Sequence, residues 1–246
     1  MSEPSASSES YAKSARFYDA IYAAQGKDYA REAQQIHELI RQHKKSDGNT
    51  LLDVACGTGK HLQFLKKDYM AEGLDIDAEM IKAARAQQPE ITFQQADMLD
   101  FRLDRHFDAI ICLFSAIGYA KTVANLARAM QTMAQHLKPG GVLIVEPWLL
   151  PDGFTAGLVF STTVDQPDLK ITRMNLTRRE SDLSFLDYHY LVGTPQRIEY
   201  FTEHHELGLF TDEEYLAAFA QAGLATTFDA QGLTGRGLYI GVKKIL

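Results

Sequence analysis

The sequence predicts an α/β fold in which helices cover both faces of a parallel sheet. From Thr50 to Pro147, short apolar runs typical of strands alternate with helical segments. Several runs, such as 109–114, are apolar throughout, as in parallel strands that are buried on both faces. After Pro147 the pattern changes to alternating apolar and polar residues up to about residue 206. This change predicts an inserted antiparallel sheet of three or four strands.

The N-terminal region divides into two parts. Residues 1–12 are rich in Ser, Glu and Pro, and we expect them to form a flexible tail. Between Ala15 and His43 apolar residues recur at helical spacing, and Gly26 divides the run into two helices. We therefore predict an N-terminal helical lid over residues 13–48.

The central and C-terminal segments predict an α/β core over residues 49–150 and 208–246. The predicted strands are 50–55, 70–76, 91–96, 107–114, 141–147, 225–230 and 237–244. The predicted helices are 61–67, 78–86, 123–136 and 211–222. Thr211 is the expected N-cap of the last helix, and Glu214 completes a capping box. Residues 151–207 are predicted to form the antiparallel β cap on the substrate side.

Charge and cysteine content exclude several classes of protein. With 25 Lys and Arg against 32 Asp and Glu, the chain lacks the positive field that a nucleic-acid backbone requires. Cys56 and Cys112 are too few for a disulfide framework, and we expect both to be reduced. Neither a signal peptide nor a membrane-spanning run is recognisable. We therefore expect a cytoplasmic protein that binds neither nucleic acid nor membranes.

The segment LLDVACGTGKHL, residues 51–62, contains the strongest functional signal. A predicted buried strand ends in the turn Gly57-Thr58-Gly59, where the backbone can approach a ligand closely. The alternative is a tight strand-to-helix turn without a ligand. Asp53 before the turn and acidic residues at the next strand ends favour a ligand.

The following strand ends indicate the kind of ligand. Asp75 can accept hydrogen bonds from both hydroxyls of a ribose, as the acid of dinucleotide folds does. A dinucleotide fingerprint places a third glycine at position 62, which is Leu62 here, so a pyrophosphate is disfavoured. Asp97 and Met98 suit the amine and the face of an adenine. A ligand with adenine and ribose but without pyrophosphate fits best.

The order D-x-A-C-G-T-G, L-D-I-D and A-D-M at successive strand ends resembles the class I S-adenosylmethionine (SAM)-dependent methyltransferases. The resemblance covers residues from about 17 to 246 and implies a Rossmann-like sheet with SAM as cofactor. It places the glycines against the methionine part, Asp75 on the ribose, and Asp97 on the adenine amine. The implied cofactor-binding residues are Tyr22, Tyr29, Asp53, Ala55, Gly57, Gly59, Asp75, Ile76, Met80, Asp97, Met98, Leu113 and Phe114.

Four further stretches carry a narrower resemblance. They are 18–33, 114–122, 145–151 and 235–242, and they are similar to N,N-dimethyltransferases of nucleotide-linked 3-amino-3,6-dideoxy sugars in antibiotic pathways. This resemblance implies that Tyr22 and Tyr29 close over the cofactor. It also implies that Tyr119, Trp148, Arg236 and the cap face the substrate. The cap matches that family only loosely.

The chemistry of methyl transfer suggests roles for particular side chains. A sulfonium methyl is already activated, so the main demand is to position a neutral nucleophile, and no metal is required. An amine must lose a proton before attack. Tyr22 and Tyr119 are candidates for orienting the amine, since the high pKa of tyrosine favours positioning over proton abstraction. Aromatic packing beneath the lid is the alternative for both residues.

Other polar residues are candidates for substrate contacts. A diphosphate favours arginine, and Arg236 between two glycines is the first candidate, followed by Arg173 and Arg178. Glu146 and Trp148 follow a strand end; each can contact substrate, or Glu146 can be a buried structural group and Trp148 an anchor for the cap. The adjacent His204 and His205 point to opposite faces of a predicted strand, so only one of them can contact the substrate.

The sequence therefore predicts SAM-dependent methylation, once or twice, of the amine of a nucleotide-linked amino sugar. The alternatives are an N- or O-methyltransferase for another small molecule, a non-catalytic SAM-binding module and an oxidoreductase. The edges of the cap sheet are compatible with a homodimer.

Overall fold

The computed structural model describes residues 11–245, which form two β-sheets and six α-helices. The helices are α1 (Tyr18–Ala24), α2 (Tyr29–His43), α3 (Lys60–Leu65), α4 (Ala78–Gln87), α5 (Val123–Gln135) and α6 (Asp212–Gln221). The strands are β1 (Thr50–Val54), β2 (Met70–Asp75), β3 (Thr92–Gln95), β4 (Phe107–Cys112), β5 (Leu137–Val145), β6 (Val159–Gln166), β7 (Leu169–Glu180), β8 (Leu183–Gly193), β9 (Ile198–Gly208), β10 (Leu224–Asp229) and β11 (Leu238–Lys243). The predicted α/β class is confirmed.

The larger sheet has seven strands in the order β10-β11-β5-β4-β1-β2-β3. The five strands from β5 to β3 are parallel, whereas β11 pairs antiparallel with β5 and β10. The chain runs from β1 outward to β3 and then returns to the other side of β1 as β4. This reversal leaves a crevice at the carboxyl ends of β1 and β4, where ligands of such sheets bind.

The sequence prediction differs most from the structure at the start of β5. This strand begins at Leu137, four residues before the predicted start, and Leu137 pairs with Phe107. The segment Lys138-Pro139-Gly140-Gly141 contains a proline and two glycines, which usually weaken a strand. In the structure the register shifts between Phe107 and Ala109, so the irregularity is accommodated inside the strand pair. The capping box of α6, with Thr211 and Glu214, is confirmed.

The smaller sheet is an antiparallel meander of the four strands β6, β7, β8 and β9. Residues alternate between its two faces, and on β7 the odd-numbered residues 171–177 are buried. Helix α1 packs against this inner face through Ile21, which shares an apolar cluster with Val164, Ile171 and Tyr190. Helix α1 therefore lies between the two sheets, close to the crevice, whereas α2 packs against α3 and the large sheet.

Tyr11 is packed in the structure, although the sequence assigned it to the flexible tail. Its ring lies edge-on to Tyr18 and His205, with centroids 5.5 and 4.6 Å away. The backbone N–H groups of Lys13 and Ser14 donate to Glu203 on β9. Aromatic burial and these hydrogen bonds offset the ordering cost, so the predicted end of the tail at residue 12 is too late. Residues 1–10 lie outside the described part of the chain.

Among residues 11–245, none of the helices combines the length and the apolar character needed to cross a bilayer.

Candidate active site

A cavity of about 680 Å³ lies between the crevice of the large sheet and the inner face of the small sheet. A recess of about 40 Å³ adjoins it and shares Tyr18, Ala55, Gly57, Leu113 and Phe114 with it. Most of the predicted site residues line the cavity: Tyr22, Ala55, Gly57, Asp75, Ile76, Met80, Asp97, Met98, Leu113, Phe114, Tyr119, Trp148, Arg173 and Arg236. Tyr29 and Asp53 line the recess. Gly59, Glu146 and Arg178 line neither space.

The two glycines of the turn after β1 have different surroundings. Gly57 has a φ of 55°, and its N–H donates to Asp75 Oδ2 at 2.8 Å. Gly59 has a φ of 76° and is the N-cap of α3. A Cβ on Gly59 would lie 2.9 Å from the ring of Phe93 and from the amide of Gln88. Gly57 therefore borders the ligand space, whereas Gly59 permits close packing of the helix behind it.

The acids at the ends of β2 and β3 face the cavity, as predicted. Burial raises the pKa of Asp75 to about 6, although its carboxylate accepts hydrogen bonds from the N–H groups of Asp77 and Gly57. Asp97 accepts a hydrogen bond from the N–H of Leu99 at 2.9 Å. Apolar side chains of Ile76, Met80 and Met98 complete this end of the cavity. It therefore combines two acceptors with an apolar slot.

The recess contains one unpaired acceptor and one unpaired donor. Asp53 Oδ2 and the Tyr29 hydroxyl are buried, and neither has a hydrogen-bond partner in the structure. Burial raises the pKa of Asp53, and the nearby Asp75 raises it further. Buried polar atoms are rarely left unpaired in native proteins. A ligand with an ammonium and a carboxylate, such as the methionine part of SAM, would satisfy both groups.

The helix α1 is tied directly to the turn after β1 through Asp19. The Thr58 hydroxyl donates to Asp19 Oδ1 at 2.6 Å, and Gln87 Nε2 donates to Oδ2 at 3.0 Å. Lys60 Nζ lies 3.3 Å from the same carboxylate. Asp19 therefore connects the N-terminal helices to α3 and α4 at the edge of the recess.

Aromatic rings form the boundary between the cofactor side and the cap side. Tyr22 lies 4.5 Å from Tyr18 and 4.8 Å from Phe114, measured between ring centroids. Tyr119 lies farther toward the cap, where its hydroxyl is 2.8 Å from that of Tyr11. Both tyrosines that the sequence singled out thus line the same cavity.

Glu146 supports the loop after β4 and does not border the cavity. It is fully buried and accepts hydrogen bonds from the N–H of Phe114 at 2.6 Å and from Thr234 at 2.9 Å. Arg236 Nη2 lies 3.3 Å from the same carboxylate. Of the two roles that the sequence allowed, Glu146 therefore has that of a buried structural group. It holds Phe114 and Arg236 in position.

Trp148 anchors the cap, which is one of the two roles that the sequence left open. Its indole N–H donates to the buried Ser184 hydroxyl on β8 at 2.9 Å, which ties the small sheet to the end of β5. Its ring also lines the cavity, and the guanidinium of Arg236 is 5.9 Å from the ring centroid.

Arg173 and Arg178 lie on opposite faces of β7. Arg173 is 6% exposed and lines the cavity, where its guanidinium lies between the rings of Tyr22 and Tyr188. Within the part of the chain that the structure describes, no carboxylate lies within ion-pair distance of it. Arg178 lies on the outer face and pairs with Asp187 at 2.6 Å. The prediction that Arg178 faces the substrate is therefore wrong. Side chains alternate between the two faces of a strand, so residues five positions apart point to opposite faces.

The two histidines on β9 also separate as predicted. His204 is on the outer face, where Nδ1 lies 2.7 Å from Asp187. His205 lines the cavity, and its Nδ1 lies 2.6 Å from the Tyr119 hydroxyl. The sequence missed Tyr11 and Tyr188, which border the same region. For Tyr188, the alternation of apolar and polar residues along β8 was the available sequence signal, and it did not indicate which face of the strand is inward.

In residues 11–245, no group of three or more Asp, Glu, His or Cys side chains is arranged so that it could hold a metal ion.

The seven-stranded sheet, the glycine turn and the acids at the ends of β2 and β3 together define a class I SAM-dependent methyltransferase. A family model described as a methyltransferase domain matches residues 51–141. The chain is 41% identical over 230 residues to the dTDP-3-amino-3,6-dideoxy-alpha-D-glucopyranose N,N-dimethyltransferase of Streptomyces fradiae, covering 93% of this chain and 90% of the relative. It is 40% identical to the dTDP-3-amino-3,4,6-trideoxy-alpha-D-glucopyranose N,N-dimethyltransferase of Streptomyces venezuelae, covering 92% and 95%.

Solved structures agree with these relatives. Streptomyces venezuelae DesVI matches with a TM-score of 0.88 and 40% identity, covering 93% of this chain and 98% of that chain. SAM-bound CalS10, an amino pentose methyltransferase of Micromonospora echinaspora, matches with a TM-score of 0.84 and 36% identity, covering 93% and 97%. The chain belongs to the same family as these sugar N-methyltransferases. It is a methyltransferase, and its cofactor is SAM.

Proposed function

We propose that the protein methylates the amine of a nucleotide-linked amino sugar, and that it transfers two methyl groups in succession. The observation that carries this proposal is Arg173, a buried cation on the cavity wall without an acidic partner. An unpaired buried guanidinium is costly unless a ligand supplies an anion. The near full-length similarity to dTDP-amino-sugar N,N-dimethyltransferases supports the same substrate class.

We propose that SAM lies along the carboxyl ends of β1 and β2. Asp75 would accept hydrogen bonds from the ribose hydroxyls, and Asp97 from the adenine amine. The ammonium and carboxylate of the methionine part would pair with Asp53 Oδ2 and the Tyr29 hydroxyl. This placement is supported by the unpaired atoms in the recess and by the apolar slot beside Asp97.

The Asp19 contacts provide a test of the lid in cofactor binding. Replacing Asp19 by Ala should weaken SAM binding about tenfold. Without the Asp19 contacts, part of the binding free energy is used to order α1. Calorimetric titration measures the affinity for SAM, and thermal unfolding separately measures whether the substitution lowers the stability of the fold. The exposed Glu38 on α2 provides the control, and Glu38→Ala should bind SAM normally. Unchanged affinity in Asp19→Ala would show that α1 does not act as a lid over the cofactor.

The sugar nucleotide would occupy the cap side of the cavity. Among the described residues that line the cavity, Arg173 and Arg236 are the Lys or Arg side chains available for the diphosphate, and the planar guanidinium matches its oxygens. Trp148 offers a ring for stacking. Tyr22 and Tyr119 would orient the amine behind the sulfonium methyl. The transfer is an in-line displacement in which positioning contributes most of the rate increase.

Turnover with a defined substrate tests the proposed function. Incubation with SAM and a dTDP-3-amino-3,6-dideoxy sugar should give first a monomethylated and then a dimethylated product, detected by mass spectrometry. The matching 3-hydroxy sugar is the control and should remain unmodified. Absence of methylation across a panel of amino sugars, or equal methylation of the hydroxy sugar, would contradict amine specificity. The second outcome would favour the alternative of another small-molecule acceptor.

Four further sequence predictions remain proposals. We propose that lid, core and cap are the functional divisions of the chain. We propose that the outer face of the cap joins two copies in a homodimer, since Leu191, Ile198 and Tyr200 are exposed there; the molar mass in solution would test this. We also keep the proposals of a cytoplasmic location and of a protein that does not act on nucleic acid.

A further inference from the structure

A chain of polar groups leads from the cavity into the inner face of the small sheet. It consists of Tyr11, Tyr119, His205 and Glu203, and only the two tyrosines carry hydroxyls that face the cavity. The Tyr11 and Tyr119 hydroxyls are 2.8 Å apart, and Tyr119 lies 2.6 Å from His205 Nδ1. His205 and Glu203 are 1% and 4% exposed. The role proposed above for Tyr119, positioning the amine, involves neither His205 nor Glu203.

The contacts favour one direction for the hydrogen bonds. Glu203 Oε1 accepts from the N–H groups of Ser14 and Lys13. Its Oε2 lies 3.9 Å from His205 Nε2, which is within ion-pair distance and longer than a hydrogen bond. A carboxylate at that distance attracts an N–H and repels a nitrogen lone pair, so it favours the tautomer with the proton on Nε2. The neutral imidazole then has a lone pair on Nδ1, so the Tyr119 hydroxyl donates to it. The Tyr119 oxygen in turn accepts from the Tyr11 hydroxyl.

The surroundings favour a charged imidazole over a charged phenol. Burial raises the pKa of Tyr119 well above its ordinary value, so a lasting phenolate there is unfavourable. Burial also acts to raise the pKa of Glu203, yet the nearby His205 imidazole and the hydrogen bond from the Ser14 N–H leave it lower than usual. The other groups around His205 are the rings of Tyr11 and Tyr188, and the guanidinium of Arg173 lies over the Tyr188 ring. Glu203 is thus the anion that faces His205.

We propose that His205, balanced by Glu203, takes up through Tyr119 the proton that the acceptor amine loses at each methyl transfer. This inference rests on the proposed amine substrate. The amine nitrogen forms a bond to the methyl carbon as the carbon–sulfur bond breaks, which leaves S-adenosylhomocysteine and a methylammonium. The ammonium proton passes to the Tyr119 oxygen, while the Tyr119 proton passes to His205 Nδ1. Tyr119 is unchanged at the end, and His205 carries one positive charge beside Glu203.

Two successive transfers make such an acceptor useful. After the first transfer the nitrogen carries a positive charge and has no lone pair for a second attack. Its proton must therefore leave before the second methyl can be accepted. In this scheme His205 and Glu203 are positioning residues that act through Tyr119, and solvent resets them between turnovers.

The kinetic test compares two histidines on the same strand. His205→Asn retains an oxygen that can accept from Tyr119 but takes up no proton, and we expect kcat to fall about 100-fold at neutral pH. KM for SAM and for the sugar should stay near the wild-type values. The loss should shrink as pH rises, because solvent hydroxide can then deprotonate the amine. Tyr119→Phe should behave similarly, and Glu203→Gln should show a smaller loss. His204→Asn, on the outer face of β9, should keep the wild-type kcat.

A kcat for His205→Asn within twofold of wild type, or a loss that is equal at every pH, would overturn the proposal. A second measurement is independent of turnover. ¹⁵N NMR of the protein bound to S-adenosylhomocysteine should show the Nε2–H tautomer of His205, whereas an Nδ1–H tautomer would overturn the relay. If wild-type protein failed to methylate amino sugars, the substrate proposal would be contradicted, and the tautomer would still decide the relay.

Discussion

Replacing Arg173 by Met should raise KM for the nucleotide sugar about 100-fold and leave SAM binding unchanged. Arg173 is buried among aromatic rings and faces the cavity without an acidic partner. Removing one member of a buried charge pair in a complex costs several kcal/mol, much of it because the remaining charge is left unpaired. In the variant, the diphosphate would be the unpaired group.

The control lies five residues along the same strand. Arg178 is on the outer face of β7 and pairs with Asp187 there. Arg178→Met should therefore have a wild-type KM, since only the inner face of β7 borders the cavity. Initial rates at varied sugar concentration measure both variants, and calorimetry with SAM shows that the cofactor site is intact. Equal KM values for the two variants would contradict a role for Arg173 in binding the diphosphate.

Replacing Asp75 by Asn should weaken SAM binding at least 100-fold at neutral pH. Both carboxylate oxygens already accept backbone hydrogen bonds, so an ionised group is best able to accept further bonds from the ribose hydroxyls. An amide has only one acceptor oxygen, and its NH₂ group would face a backbone N–H. The exposed Asp100, which pairs with Arg128, provides the matched control, and Asp100→Asn should bind SAM normally.

The pH dependence of binding gives a second readout of Asp75. Burial raises its pKa to about 6, so the carboxylate is ionised above that pH and protonated below it. If SAM binds the ionised form, its affinity should be constant above about pH 7 and fall as pH decreases through 6. In Asp75→Asn this decrease should be absent. The same raised pKa implies that the folded apoprotein holds this proton more tightly than the unfolded chain. Ionising Asp75 therefore reduces folding stability between about pH 4 and pH 6.

The cofactor side of the site was largely predictable from the sequence. Asp75 and Asp97 follow strands that the apolar pattern marks clearly, and the carboxyl ends of parallel strands meet at one edge of the sheet. Gly59 was assigned to the ligand because it belongs to the same turn as Gly57. Only the packing of Phe93 and Gln88 behind it reveals its structural role.

The cap side was less predictable. The alternation in β7 separates Arg173 from Arg178, yet alternation alone does not say which face is buried. Tyr11 lies in a polar N-terminal segment without any periodic pattern, so its place beside Tyr119 depends on contacts between distant parts of the chain. Glu203 and His205 share a face of β9, but their connection to the cavity passes through Tyr119 from another element.

The sequence by itself determined the parallel sheet, the order of its strand-end acids and the glycine turn, because these follow from local periodicity and from the geometry common to such sheets. The tertiary structure alone decided which face of the cap is inward, where Arg178 points, and how Tyr119 meets His205. These features depend on how two sheets and the N-terminal helices pack against one another, and no local pattern encodes that packing.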